Sequence, residues 1–209
     1  MRTQTVGTFL DELASANSAP GGGAASALAG AMGAALVAMV AQLTLGRKKY
    51  AQVEDEMRRL LARAEAARAE LTKLADLDAE VFNRVMEAYR MPKGTEVERA
   101  ERARAIQAAL KDATHVPLRV AEQAVHVLAL AQEAADKGNV NVISDAGAGV
   151  VLADAALEMA ALNVAINLAL IEDEEFSREA RRQLEAYRAE RDRLKAPVLE
   201  TVYRRIGGS

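Results

Sequence analysis

The first chemically suggestive feature of the sequence is a run of three glycines, Gly21, Gly22 and Gly23, which follows Pro20 and leads into an alanine-rich segment. At the start of a helix, such residues would leave backbone N–H groups unpaired, and these groups bind anions well. Glycines also allow a tight turn and the close packing of two helices. Because no GxGxxG or phosphate-loop lysine pattern is present, the spacing predicts either a turn or a polar ligand site.

Three carboxylates are candidates for proton transfer. Asp76 and Asp78 lie two residues apart in a segment with helical periodicity, so their side chains point about 200° away from each other. In a regular helix, at most one of them can therefore face a given site, while the other is solvated. Asp145 stands next to Ser144 at the predicted start of an apolar helix, where backbone N–H groups would fix its position. It is either a catalytic group or a helix-capping carboxylate.

Two further groups of polar residues could bind a ligand. Asn163 and Asn167 lie four residues apart, and hence on one face of an otherwise apolar helix. Buried amides need hydrogen-bond partners, which a neighbouring helix or a ligand would supply equally well. The basic run that includes Lys48 and Lys49 follows a predicted helix stop at Gly46. This run is either a solvated helix end or a site that binds a substrate carboxylate.

Composition argues against several other kinds of site and partner. The chain has no Cys and two His, which leaves no thiol nucleophile and too few ligands for a histidine-bound metal, so no metal is expected. No GxSxG sequence supports a serine triad. The formal net charge of −3 argues against nucleic acid as a partner. The lack of cysteine suits a cytoplasmic protein, and Asp11 and Glu12 stand where a signal peptide would need apolar residues.

The elements that must position these residues are helices. Of the 209 residues, 51% are hydrophobic but only 3% are aromatic, and alanine, the best helix former, is abundant. No segment has the alternating pattern of a β-strand. The sequence predicts one all-α domain over residues 1–209, with a helical arm at 1–18 and a helical core at 19–209. The helices are predicted over residues 5–16, 23–45, 51–90, 96–137, 145–171 and 174–205.

The lengths of these helices bear on assembly. Two of them, of about 40 residues each, would be about 60 Å long if straight, which exceeds a compact domain of this size. We therefore predict a multi-helical bundle of long helices, kinked at Pro117, in an intertwined homodimer. Between Ala24 and Ala41 the only polar side chain is Ser26, so this segment is long enough to span a bilayer. Its alanine and glycine content favours a buried core helix, and no membrane partner is expected.

Four motifs occur in order along nearly the whole chain and are far more specific together than any one alone. They are Pro20–Gly23 with Leu43–Tyr50, Asp76–Ala79 with Phe82–Asn83 and Met91–Lys93, Asn139–Ala146, and Leu162–Val164 with Ile166–Leu168. This set resembles the cyclodeaminase/methenyltetrahydrofolate cyclohydrolase family, which includes the C-terminal domain of formiminotransferase-cyclodeaminase. Two positions depart from the pattern, because Ala24 stands where the family often has Ser and Arg47 where Lys is common.

The resemblance implies a dimeric all-helical fold with its site in a groove near the subunit interface. It also implies one of two reactions. A cyclodeaminase closes 5-formimino-tetrahydrofolate to 5,10-methenyl-tetrahydrofolate with release of ammonia, and a cyclohydrolase opens the methenyl compound to 10-formyl-tetrahydrofolate. The folate derivative is then the substrate, and no permanently bound cofactor is expected. Both reactions need proton transfer and charge stabilisation at a one-carbon centre, which carboxylates provide without a metal.

By the same resemblance, the candidate site residues take particular roles. Asp145 is expected to shuttle the proton, with Asp78 or Asp76 as the second carboxylate. Lys48, Lys49 and the amides of the glycine run are assigned to the glutamate tail or to the pterin carbonyl. The other candidate substrate-binding residues are Asn141, Asn163 and Asn167.

The alternative is a non-catalytic helical scaffold or regulatory binding protein of the same fold. Such a protein would bind no folate, or would bind it without turnover, whereas an enzyme predicts that its polar residues converge on one groove. Between the two reactions, a chain without a fused transferase is slightly easier to reconcile with a cyclohydrolase, because nothing fused to it supplies formimino-folate. A separate transferase would remove that distinction.

Overall fold

The computed structural model describes residues 4–207, in which all regular secondary structure is helical and no β-strand occurs. The predicted all-α class is confirmed. Two short 3-10 helices, Lys48–Val53 and Val140–Val142, precede the third and fifth α-helices. The six α-helices are α1 (Val6–Leu13), α2 (Gly22–Thr44), α3 (Glu54–Arg90), α4 (Glu96–Lys137), α5 (Ile143–Leu168) and α6 (Glu174–Gly207).

The antiparallel pair α2 and α5 forms the centre of the fold. A methyl group at Gly33 would come within 3.0 Å of the carbonyl oxygen of Gly149, so the two backbones nearly touch at mid-length. The small side chains of both helices permit this approach. The N-terminal end of α2 lies beside Asn163 near the end of α5, and Thr44 at its other end accepts a hydrogen bond from the Asn139 N–H at 2.8 Å.

The long helices α3 and α4 surround this pair within the same chain. They are joined by a short loop that ends in a capping box, in which Thr95 and Glu98 bond each other's backbone N–H. α4 packs against α2, α3, α5 and α6. Helices of 37 and 42 residues therefore find partners without exchanging chains, and helix length does not require the predicted intertwined dimer.

The helix α4 continues through Pro117, the residue at which the sequence predicts a kink. Proline has no N–H to donate to the carbonyl oxygen of Ala113, four residues earlier. The Nδ2 of Asn167 on α5 donates to that oxygen instead, at 3.2 Å. A side chain from a neighbouring helix thus replaces the missing backbone bond.

Several helix ends differ from the predictions. The basic run after Gly46, which has φ 71°, begins a 3-10 helix, so α3 starts later than expected. Ser144 lies inside the first turn of α5 rather than at its N-cap, because the helix already begins at Ile143. The arm predicted at 1–18 contains α1, which has no buried residue; residues 1–3 of that arm lie outside the described chain.

By length and composition alone, two helical segments of the described chain could cross a membrane, Gly22–Thr44 and Val140–Leu168. Core helices pass the same test, and most of the first segment is buried, but less than half of the second. α2 packs against α3, α4 and α5, and α5 packs against α2, α4 and α6; the part of these two helices that their neighbours leave uncovered is called the open face. The exposed apolar side chains of this open face are Met32, Met39, Leu43, Val151, Leu162 and Ile166.

Candidate active site

A groove with a cavity of about 380 Å³ opens at the N-terminal end of α2, between α3, α4 and α5. One wall is a single face of α3, whose lining residues recur every three or four positions from Asp78 to Tyr89. α4 and the end of α5 form the opposite wall, and the glycine run closes one end. Most lining side chains are apolar: Val81, Phe82, Val85, Met86, Leu110, Pro117, Ile166 and Leu170.

The carboxyl group of Asp78 lies at the glycine end of this groove. Burial raises the pKa of the Asp78 carboxyl, and a hydrogen bond from the backbone N–H of Ala24 opposes that rise without cancelling it. Ala24 belongs to the first turn of α2, where N–H groups have no partner within the helix. A carboxyl that is half-buried, fixed by a helix end and easy to protonate is suited to proton transfer.

The three glycines differ in what they contact. A methyl group at Gly23 would lie 2.0 Å from Oδ1 of Asp78, so the carboxylate occupies the space that any side chain at this position would need. A methyl group at Gly22 would meet its nearest neighbour, the Asn163 Nδ2, at 3.8 Å, which is an ordinary contact. All three glycines line the cavity, but only at Gly23 does Asp78 require the absence of a side chain.

Asn163 and Asn167 lie in the same groove, and both amide nitrogens are already bonded to the protein. Asn163 donates to the carbonyl oxygen of Met159 at 2.8 Å, and Asn167 to that of Ala113. Among residues 4–207, the amide oxygens of these two residues form no hydrogen bond. They are thus available as acceptors for N–H groups of a ligand, while their nitrogens serve the fold.

A second cavity, of about 220 Å³, lies beyond the C-terminal end of α2 and contains Lys48, Lys49 and Asn141. Its floor is held together by the Tyr50 hydroxyl, which accepts a hydrogen bond from the backbone N–H of Val140 at 3.0 Å. Both lysines are exposed. This cavity can attract an anion, but it holds none of the residues of the groove.

The candidate site residues predicted from the sequence do not all lie in one place within a single chain. The two cavities lie at opposite ends of α2, which at 23 residues is about 35 Å long. Asp145 is in the first turn of α5, about 27 Å along the helix from Asn163. Neither Asp145 nor Asp76 lines either cavity, so Asp78 is the predicted carboxylate that faces a groove. The expected pairing of Asp145 with Asp78 does not form within one chain.

Sequence reasoning missed the apolar and aromatic lining of the groove. Phe82, Met86 and Tyr89 share the face of α3 that carries Asp78, and this spacing was readable once Asp78 was chosen as the reference. No group of three or more His, Cys, Asp or Glu side chains that could hold a metal ion occurs within residues 4–207.

Comparison with known proteins gives concordant results. A family model described as Formiminotransferase-cyclodeaminase matches residues 5–186. The methenyltetrahydrofolate cyclohydrolase of Methylorubrum extorquens is 47% identical over 203 residues, covering 97% of this chain and 98% of the relative. The formimidoyltransferase-cyclodeaminase of Mus musculus is 37% identical over 191 residues, which are 91% of this chain but 35% of the relative.

A solved structure agrees with these sequence matches. The crystal structure of formiminotetrahydrofolate cyclodeaminase from Thermotoga maritima has a TM-score of 0.88 and 33% identity to this chain, and the match covers 97% of both chains. The resemblance inferred from the four motifs is therefore confirmed. This chain belongs to the formiminotransferase-cyclodeaminase family.

Proposed function

We propose that this chain is a folate one-carbon enzyme whose preferred reaction is the hydrolysis of 5,10-methenyl-tetrahydrofolate to 10-formyl-tetrahydrofolate. The observation that carries the proposal is Asp78, a carboxyl with a raised pKa held by a helix end inside an otherwise apolar groove. The choice of reaction is supported by the full-length match to a methenyltetrahydrofolate cyclohydrolase. The substrate is the folate itself, and no permanently bound cofactor is part of the proposal.

In this mechanism Asp78 moves one proton. Water attacks the methenyl carbon while the Asp78 carboxylate takes a proton from the water, giving a neutral adduct bonded to both N5 and N10. The bond from this carbon to N5 then breaks as the hydroxyl oxygen gives its remaining proton to solvent, the proton on Asp78 passes to N5, and the formyl group stays on N10. The methenyl substrate is a cation before attack, so a carboxylate in a largely apolar groove also favours its binding.

Cyclodeamination is the second candidate, favoured by the structural match to the Thermotoga maritima enzyme. There N10 attacks the carbon of the protonated formimino group carried on N5, Asp78 takes the proton from N10, and it returns that proton to the departing NH2 group. Ammonia leaves and the methenyl bridge remains. The same carboxyl group thus serves both reactions, which differ in whether water or ammonia is exchanged at the one-carbon centre.

The remaining polar groups of the groove are proposed to bind the pterin. The first N–H groups of α2, at Gly22 and Gly23, are placed to donate to the pterin carbonyl. The amide oxygens of Asn163 and Asn167 are placed to accept from its N–H groups. Together these contacts would hold the reacting carbon next to Asp78.

The proposal includes a homodimer in which a second copy covers the open face of α2 and α5. Ile166 supports this arrangement, because it is 66% exposed on the open face and also lines the groove, so whatever covers the face also closes the groove. A two-fold axis perpendicular to the helices would bring the second cavity of one copy to the groove of the other. A substrate bound mainly by one copy would then also be within reach of four residues of the other copy, Lys48, Lys49, Asn141 and Asp145.

The function is tested by following the absorbance of the methenyl compound with purified protein. Loss of the signal above the buffer rate is expected, and Asp78→Asn should lower turnover by 10²-fold or more. Asp76→Asn, two residues away and outside both cavities, is the matched comparison and should lower turnover far less. A folded dimer that neither consumes methenyl-folate nor forms it from formimino-folate would favour the scaffold alternative instead.

The dimer is tested separately by light scattering of the intact chain. Met32→Glu places a charge in the open face and should give monomers with reduced turnover. Tyr203→Glu changes an apolar residue on α6 that is more exposed than Met32, 71% against 54%, and should leave the mass of the particle unchanged. A wild-type monomer with full turnover would exclude the homodimer while leaving the role of Asp78 intact.

A further inference from the structure

The two ends of the groove differ in their chemistry. The glycine end carries the polar groups that surround Asp78. The opposite end, eleven residues and about 16 Å further along α3, is lined by Tyr89 together with Leu110 and Leu170. Tyr89 is 37% exposed, so its ring forms part of the rim as well as part of the wall. The groove is therefore a slot with a proton-transfer group at one end and an aromatic ring at the other.

A cation is fixed beside that aromatic ring. The guanidinium of Arg102, on α4, lies 5.7 Å from the centroid of the Tyr89 ring. Its Nε and Nη2 donate to the carbonyl oxygen of Tyr89, at 3.2 and 3.0 Å. Within residues 4–207 Arg102 forms no salt bridge and its Nη1 no hydrogen bond, so its positive charge is held in place but not neutralised.

A folate has the same order of chemical groups as this slot. The one-carbon centre bridges the pterin and N10, an aromatic aminobenzoyl ring is attached directly to N10, and a glutamate with its carboxylates follows. With the reacting carbon at Asp78, the aminobenzoyl ring points along α3 towards Tyr89. The first glutamate then passes the Tyr89 ring, beside which the guanidinium of Arg102 lies.

We propose that Tyr89 and Arg102 form the subsite for the aminobenzoyl-glutamate part of the substrate, with the ring against Tyr89 and the first glutamate carboxylate on Arg102. This assignment rests on the proposed function, because it takes Asp78 as the reacting end. It also gives the substrate one direction in the groove. The lysines of the second cavity would then meet only later glutamates or the pterin carbonyl, and only from a second copy.

Residues that bind the unreactive part of a substrate change KM more than kcat when they bind ground state and transition state equally. A hydrogen bond to a charged group is worth enough to change KM about tenfold. Arg102→Gln is therefore expected to raise KM for methenyl-tetrahydrofolate about tenfold, with kcat changed by no more than about twofold. Tyr89→Leu should raise KM several-fold through loss of the aromatic contact.

The experiment pairs these variants with two substrates, methenyl-tetrahydrofolate and methenyl-tetrahydropteroate, which has the same ring system but no glutamate. Arg102→Gln should raise KM for the first and leave KM for the second unchanged, whereas Tyr89→Leu should raise both. Arg99→Gln is the matched control, because Arg99 also lies on α4 and donates to backbone carbonyls, but to those of Lys93 and Gly94 rather than that of Tyr89. It should change neither KM.

The outcomes separate the subsite from the proposed function. Turnover by the wild type with equal effects of Arg102→Gln on both substrates would overturn the subsite and leave the function standing. Turnover by the wild type with a selective effect on the glutamate-bearing substrate supports both. No turnover and no binding of either compound by the folded wild type overturns both. Thermal unfolding of each variant shows whether a change in KM comes instead from loss of the bonds to the Tyr89 carbonyl.

Discussion

The substitution Gly23→Ala tests the reasoning about the site most directly, because it adds one methyl group where the structure has no room for it. The new Cβ would lie 2.0 Å from Oδ1 of Asp78, 2.4 Å from its Cγ and 2.6 Å from its Oδ2. Cβ atoms essentially never approach other atoms closer than 3.0 Å, so the carboxylate must move by at least about 1 Å. It would thereby leave the hydrogen bond from Ala24 and its place in the groove.

The expected result is a large loss of turnover with a smaller loss of stability. A displacement of about 1 Å at a reacting group can cost about 10²-fold in rate. Overpacking a well-filled site costs about 1–3 kcal/mol, although Ala is a better helix former than Gly and recovers part of that cost. We therefore expect kcat to fall by about 10²-fold, while thermal unfolding shows that the helical fold is retained.

Gly22→Ala is the matched control for this substitution. It adds the same methyl group one residue earlier in the same helix, but 3.8 Å from the nearest atom, so Asp78 keeps its position and its titration. The decisive assay is the pH dependence of kcat/KM for wild type and both variants, since the acidic limb reports the ionisation of the free enzyme's base. Gly23→Ala with a wild-type kcat and a wild-type acidic limb would refute the assignment of Asp78.

Three further predictions concern the same elements. Because burial raises the pKa of Asp78, the folded state holds this proton more tightly than the unfolded state, and stability is lost as pH rises through the folded pKa. Asp78→Asn should therefore unfold at a higher temperature than wild type at neutral pH, with the gap closing in acid; equal melting at both pH values would contradict this. Asn167→Leu should lower the free energy of unfolding by about 1–3 kcal/mol, because it leaves the Ala113 carbonyl unpaired. In a Pro117→Ala background the backbone N–H of residue 117 can bond that carbonyl, so a double-mutant cycle should show a smaller loss. Asp154→Asn should lower stability at neutral pH but not in acid. Burial would raise the pKa of Asp154, but the bonded cations Arg191 and Lys195 of α6 lower it further, so the charged carboxylate stabilises the fold. If the difference between the denaturation midpoints of wild type and variant did not change with pH, this prediction would be wrong.

The fold was predictable from the sequence because its signals are local. The alanine content predicts helices, and stop signals such as Gly46 and the Met91–Thr95 loop predict most of the helix ends. The uninterrupted course of α4 was not predictable, because the carbonyl freed by Pro117 is satisfied by Asn167, 50 residues further along the chain. No local pattern reveals such a partner, and from the sequence alone Pro117 predicted a kink in the helix.

The sequence predicted which residue types belong to the site, but not which of these residues lie together in space. Helical geometry correctly allowed only one of Asp76 and Asp78 to face a groove, but it could not say which. The role of Gly23 depends on the position of a side chain 55 residues later, which spacing does not encode. The separation of Asp145 from Asp78 follows from the antiparallel packing of α2 against α5, a tertiary fact.

The contrast between Asp78 and the other perturbed carboxyls of the described chain is the strongest argument for its role. Hydrogen bonds from basic side chains, with Gln183 also contributing at Glu179, lower the pKa values of Asp173, Glu179 and Glu190, as expected of ion pairs that stabilise a fold. Burial alone would raise the pKa of Asp154, but two bonded cations more than offset it. Among the carboxyls of residues 4–207 whose pKa is shifted, Asp78 alone has a raised pKa, and what opposes the effect of its burial is one backbone N–H rather than a cation. A group that lowers stability at neutral pH and faces an open groove is better explained by proton transfer to a ligand than by packing.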